Sequence, residues 1–327
     1  MENKAPEENS APGTRPPVLS VVFSFRNEEE VLPELLRRLH DTLRPLDIGY
    51  EFVFVNDAST DNSLAILTER AKTDESIRIV TTSRRFGQPP CLMAGLRYSR
   101  GAAVVYMDAD LQDPPEVIPK LIEEWKKGAE IVYTVRISRE GEPRIKLWLT
   151  KWAYKAIRYF SEIDLPVEAG EYRLLSRRVV AEMGKFPEKS PYFRGLVNWV
   201  GFKKTAVAYR REKRFAGETH FPLLGLEPAK AFLYACISYS QKPLFFSLIF
   251  GIALLSGAAV YFASLALMAV SGMNVPGWSI LFSAVIFLGG TLHFSIGILG
   301  LYLKGIYEET KNRPNFIVES TIGFEKK

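Results

Sequence analysis

The chain has 327 residues, 42 of them Lys or Arg and 37 Asp or Glu, for a formal net charge of +5. That is room for one sizeable domain plus smaller parts, and the modest positive balance suits anionic lipid or phosphate better than nucleic acid. Three histidines and two cysteines leave little for a zinc site, and Cys91 and Cys236, far apart in sequence, read as reduced thiols of a cytosolic face.

Residues 1–17 are rich in Pro, Glu and Asn with almost no large apolar groups, so they read as a disordered tail that lacks the apolar core of a signal peptide. From residue 18, apolar runs alternate with amphipathic segments. Val18–Phe25, Phe52–Val55, Ile77–Thr81, Ala102–Met107 and Ile131–Val135 are predicted strands, with helices over about 29–43, 61–72, 88–99 and 115–127. This alternation predicts an α/β domain over 18–220, a mostly parallel sheet with helices on both faces. Right-handed crossovers then gather the loops after the strands on one edge. Those loops are Arg26-Asn-Glu28-Glu-Glu30, Asn56-Asp57-Ala-Ser-Thr-Asp61, Ser83-Arg-Arg-Phe-Gly87-Gln88 and Asp108-Ala-Asp110-Leu-Gln112.

The last of these carries the most chemistry. A strand repeats its side-chain direction every two residues, so Asp108 and Asp110 leave the carboxyl end of an apolar run on one face, able to share a divalent cation on a diphosphate. Gln112 adds a third hard oxygen donor, which favours Mg²⁺ or Mn²⁺. Asn27, Glu28, Asn56 and Asp57 suit ribose hydroxyls and base edges, and Arg84 and Arg85 suit phosphate. Each loop alone is also an ordinary helix start, as with Asp61; the convergence of four is what a structural domain does not need. No glycine-rich phosphate loop of either common pattern occurs, which leaves metal and side chains to hold the phosphates.

Within the domain, the basic run Arg136, Arg139, Arg144, Lys146 and Lys151 alone reads equally as a solvated helical face, but Trp148, Leu149, Trp152 and Tyr154 interleave with it, as expected of a segment that meets headgroups and a lipid phosphate. Residues 221–243 read as an amphipathic linker lying along the membrane interface, with a packed helix of the soluble domain as the equal alternative. Leu244–Val270 holds no charged residue and Trp278–Leu303 none but His293, each longer than the roughly 20 residues needed to cross a bilayer. These predict a two-helix transmembrane hairpin over 244–304. Lys and Arg flank the pair and are missing from the link at Ser271–Gly277, so both termini, including a tail at 305–327, are expected in the cytosol. Small residues scattered through both spans suit close helix contacts, within the hairpin or in a homo-oligomer.

The ordered segments VVFSFRNEEE, EFVFVNDASTDNS, RRFGQPPCLMAGL, MDADLQDPPE, EAGEYRLLSRR and KRFAGETHF resemble glycosyltransferase family 2, in the branch of dolichyl-phosphate mannose synthases and bacterial polyprenyl-phosphate glycosyltransferases. The resemblance implies a GT-A fold that moves a hexose from a nucleotide diphosphate to a polyprenyl monophosphate in the membrane. It implies that Glu28 and Asp57 contact the nucleoside, that Asp108, Asp110 and Gln112 hold the metal, and that Arg136, Lys146 and Thr150 receive the acceptor phosphate. It also places Arg214 on a loop that closes over the donor, and Glu171 where the family has an acid often assigned to catalysis. Asp110, Glu171 and Arg136 are thus the expected catalytic group.

The chain departs from the family pattern at Ser24 and Arg26, at Ala58 where glycine is usual, at Glu171-Tyr172 for Asp-Phe, and at His220-Phe221. Likeness to bacterial two-span members favours a UDP-glucose-like donor over GDP-mannose. A non-catalytic nucleotide-sugar scaffold is the rival reading. A processive polysaccharide synthase is disfavoured by the missing Gln-x-x-Arg-Trp segment, and a translocase by spans almost devoid of polar groups.

Overall fold

The computed structural model of the chain describes residues 18–136, 169–186, 193–212 and 277–324, with part of 249–271. Its strands are Leu19–Phe25 (β1), Tyr50–Asn56 (β2), Ile77–Thr82 (β3), Ala103–Tyr106 (β4), Ile131–Arg136 (β5), Ala169–Ser176 (β6), Lys204–Tyr209 (β7) and Val318–Ile322 (β8). They form one eight-stranded sheet in the order β7-β5-β6-β4-β1-β2-β3-β8. The pairs β1/β2, β1/β4, β2/β3 and β5/β7 are parallel, whereas β6 and β8 run against their neighbours. The predicted mostly parallel sheet is therefore observed, enlarged by three strands that no apolar run announced.

Helices Leu32–Leu43 (α1), Ser63–Ala71 (α2), Gln88–Tyr98 (α3), Ile118–Lys126 (α4), Arg177–Met183 (α5) and Phe193–Trp199 (α6) flank the sheet. Period-two alternation decides which helix each strand residue meets. Val21 and Phe23, Phe52 and Phe54, and Ile77 and Ile79 point to the layer of α1, α2 and α4, where Leu32, Leu35, Leu36, Leu39 and Leu43 of α1 form an unbroken stripe. Their intervening neighbours Val22, Val53, Val55, Val80 and Val104 meet α3, α5 and α6. Each such leucine, taken fully out of water, contributes about 1.5–3 kcal/mol.

Two departures from expectation bear on the site. Chain order β1-β2-β3 runs to one side of β1 while β4 lies on the other, so the sheet reverses between the carboxyl ends of β1 and β4, the position where open α/β sheets bind ligands. Secondly, Val318–Ile322, within the stretch read as a tail, return to the sheet and pair antiparallel with β3. The return is locked at Gly323, whose φ is +80° and whose hypothetical Cβ would stand 2.6 Å from the Ile77 carbonyl oxygen. Phe324 then packs edge-on against Tyr98, at 5.3 Å between ring centres, with the Arg78 guanidinium over its face.

Ahead of β8 runs a 34-residue helix, Gly277–Thr310 (α7). Its segment Phe287–Tyr307 is long and apolar enough to cross a membrane and is not buried by the protein, with Leu292, Phe294 and Leu303 all more than half exposed. A second span is not shown: of 244–270 only part is described. The linker at 221–243 and the tail at 1–17 lie outside the described residues.

A tight approach at the foot of β4 yields one prediction. A Cβ on Gly101 would fall 2.5 Å from the Ser20 backbone nitrogen, 2.7 Å from the Leu19 carbonyl carbon and 2.8 Å from the Ala103 oxygen, all backbone atoms that cannot rotate away. Gly101→Ala is expected to destabilise the domain by about 2 kcal/mol, seen as a lower thermal-unfolding midpoint in detergent solution.

Candidate active site

The loops after β1, β2, β3 and β4 meet at one edge of the sheet and are tied to one another by short polar contacts. The Asn27 side chain accepts from the Thr60 backbone N–H at 2.8 Å, the Ser63 hydroxyl accepts from the Glu28 N–H at 2.8 Å, and Glu29 and Asp61 exchange contacts with each other's loops. Asp57 is almost fully buried, and its two carboxylate oxygens accept the N–H groups of Phe86 at 2.7 Å and Gly87 at 3.0 Å. It therefore joins the loop after β2 to the arginine loop after β3. Charge-assisted bonds of this kind are about twice as strong as neutral ones. Arg84 and Arg85 on that loop are exposed, with the Arg84 guanidinium 4.0 Å above the Phe86 ring.

At the switch between β1 and β4 the acids gather. Asp108 is held by the Gln88 amide at 2.7 Å, which also donates to the Tyr106 hydroxyl, and the buried Asp110 accepts the Gln112 N–H at 3.1 Å. Strand β6 supplies the third acid. It runs antiparallel to β4 with Arg173 opposite Tyr106, so Glu171 lies two residues along from that pair just as Asp108 does. Enclosure of its carboxyl group first, and then the charges of Asp113, Asp110 and Glu171, push Asp108 up to about 7.

The donor set fits a divalent cation. Asp108, Asp110 and Gln112 offer two carboxylates and an amide oxygen, and Mg²⁺ or Mn²⁺ bound beside phosphates needs only one or two carboxylates from the protein. Among the described residues no three His, Cys, Asp or Glu side chains form a self-sufficient metal cage.

Behind the turn stands Asp113, fully buried, which accepts the hydroxyl of Tyr209 at the end of β7. Burial raises its carboxyl, against the opposing pull of the Tyr209 hydrogen bond and of Arg211 and Arg136. Tyr209 is in turn pushed up to about 12 by burial and by Asp113, so it remains a donor. The Nε of Arg136, last residue of β5, donates to Tyr209 at 3.3 Å. Neither Asp113 nor Tyr209 nor Arg211 was singled out from sequence. Asp113 looks like an ordinary turn residue before Pro-Pro, and its partner lies 96 positions away.

Of the residues predicted from sequence, the structure thus brings Asp108, Asp110, Gln112 and Glu171 together at the carboxyl end of β4. Glu28 and Asp57 lie on the adjoining loops, and Arg136 ends β5. Lys146, Thr150 and Arg214 lie outside the described residues. Cys91 is a free thiol buried in α3, raised by burial and by Asp57; Cys236 lies outside the described residues.

Comparison with known proteins places this eight-stranded α/β sheet, with paired acids at its switch point, in a class of transferases. The model of glycosyl transferase family 2 matches residues 20–184. The chain belongs to this family and is a glycosyltransferase. It is 40% identical over 94% of its length to the uncharacterised glycosyltransferase YkcC of Bacillus subtilis, covering 95% of that protein. It is 35% identical over 92% of its length to the prophage bactoprenol glucosyl transferase homolog of Escherichia coli, covering 98% of it. Among solved structures it is similar to the mannosyltransferase PcManGT of Pyrobaculum calidifontis in complex with GDP-Man and Mn²⁺, at 19% identity over 91% of this chain and 88% of that one, with a TM-score of 0.44.

Backbone geometry explains one departure from the family pattern. Three non-glycine residues in the site loops adopt left-handed backbone, Asn27 at φ 56°, Ala58 at 52° and Leu111 at 57°. Ala58 stands where the family has glycine, and the conformation costs an L-residue roughly 1–2 kcal/mol. Ala58→Gly is expected to stabilise the protein by about 0.5–1 kcal/mol, the relief of strain outweighing the extra freedom of the unfolded chain, with a correspondingly higher thermal midpoint.

Proposed function

We propose that this protein transfers a hexose, glucose from UDP-glucose, to the phosphate of a polyprenyl lipid, undecaprenyl phosphate, at the cytosolic face of a membrane. The observation that carries this reading is the pair Asp108 and Asp110 at the sheet's switch point in a chain that matches bactoprenol glucosyl transferases over nearly its whole length. The helix α7, apolar and uncovered, supports attachment to the bilayer; the uncharged sequence of residues 244–270 and the flanking Lys and Arg support our reading of a hairpin with both termini in the cytosol.

Chemically, an oxygen of the lipid phosphate attacks the anomeric carbon of the donor as the bond from that carbon to the β-phosphate oxygen breaks. The nucleoside diphosphate leaves, and the anomeric configuration inverts because no covalent enzyme intermediate intervenes. A phosphate monoester is anionic at neutral pH, so it needs placement and partial desolvation more than a strong base. Arg136, with Lys146 and Thr150, provides the placement. Asp57 and Glu28 bind the nucleoside, Arg214 closes over it, and Glu171 orients the reacting groups beside Asp108. Asp108, Asp110 and Gln112 would hold Mg²⁺ or Mn²⁺, which supplies charge stabilisation to the departing diphosphate when bound.

Incubation of membranes with a panel of labelled nucleotide sugars and undecaprenyl phosphate tests the reading. UDP-glucose is expected to give a lipid-linked product; a product from GDP-mannose alone would replace the donor, and none from any donor would leave a binding scaffold. Asp110→Asn should lower transfer by on the order of 10²-fold or more while the thermal midpoint stays within a few degrees, which separates enzyme from scaffold.

A further inference from the structure

Behind the acids that end β4, the fully buried Asp113 is the one that the chain's own cations approach. Arg211 lies two residues past the end of β7, with its Nε 3.6 Å from Asp113 Oδ1, and both Arg211 and Arg136 pull on Asp113 electrostatically. Arg211 is also close enough to favour the ionised form of Asp108.

The segment that carries Arg211 is bolted to the metal-binding turn. The Tyr209 hydroxyl binds Asp113, the Glu212 N–H donates to the Gln112 carbonyl at 2.9 Å, and Arg38 bridges Glu212 at 2.9 Å and Glu116 at 2.6 Å. Burying Asp113 completely is costly unless it is matched, yet its Oδ2 has no hydrogen-bond partner, and neither has the enclosed Nε of Arg211. The Arg211 side chain as a whole keeps 28% of its exposure.

We infer that Arg211 is a further donor-binding residue, contacting the diphosphate of the nucleotide sugar, and that Asp113 is the positioning residue that aims it. This rests on the nucleotide-sugar reading above and extends it by naming a second cation, Arg211, beside Arg136.

The test is calorimetric binding of UDP and of uridine to detergent-solubilised full-length protein in the presence of Mn²⁺, which needs no turnover. Arg211→Gln is expected to weaken UDP binding by roughly 10- to 100-fold and leave uridine binding unchanged, because a hydrogen bond to a charged group is lost only where phosphate is present. Arg211→Lys should recover part of the loss, since it restores the charge without the planar fork. Asp113→Asn, which keeps the Tyr209 contact but not the charge, should shift UDP in the same direction by a smaller factor, and donor KM should rise without a matching change in acceptor KM. Equal weakening of UDP and uridine, or none, would overturn the role of Arg211 alone. No UDP binding by the unaltered protein would overturn the donor reading and this inference with it.

Discussion

The crowding of negative charge at the carboxyl end of β4 is the constraint around which this molecule is arranged. Carboxylates repel one another and resist leaving water, and here Asp108, Asp110, Asp113 and Glu171 are drawn to one place by the sheet itself. Two come from a strand end, one from the base of the following turn and one from the antiparallel neighbour β6. The folded chain tolerates them because the hydrophobic layers on both faces of the sheet fix the strands, and because amide, hydroxyl and guanidinium groups answer most of the acids directly.

The surrounding loops follow the same logic of storing cost locally. Asn27, Ala58 and Leu111 sit in left-handed backbone beside the site, and Asp57 spends both oxygens on holding the neighbouring loop in shape. Strain of this kind persists only where the scaffold over-determines it. Buried strands on either side anchor these loops.

How much of this could be read beforehand follows from what each element needs from its sequence. Strands β1 to β4 are buried on both faces and β5 at its start, so they are apolar runs, which made them visible. β6 carries Glu171 and a buried Arg173, β7 alternates small and exposed residues, and β8 is a polar edge strand, Val-Glu-Ser-Thr-Ile, with no apolar face to announce it. Edge strands are commonly kept polar for that reason. Asp108 and Asp110 were legible because they end an apolar run. Asp113, Tyr209 and Arg211 were not, because their meaning lies in a contact between β4 and β7 that no local pattern encodes.

The order in which the chain is made gives β8 a second significance. It is synthesised after α7, and α7 after every strand that β8 joins, so β3 stands with an unpaired row of backbone donors and acceptors throughout the earlier part of translation. Only when residues 318–322 emerge does the sheet acquire its outer border. Until then that flank is open to pairing with other chains, and the pairing of β8 with β3 is what closes it.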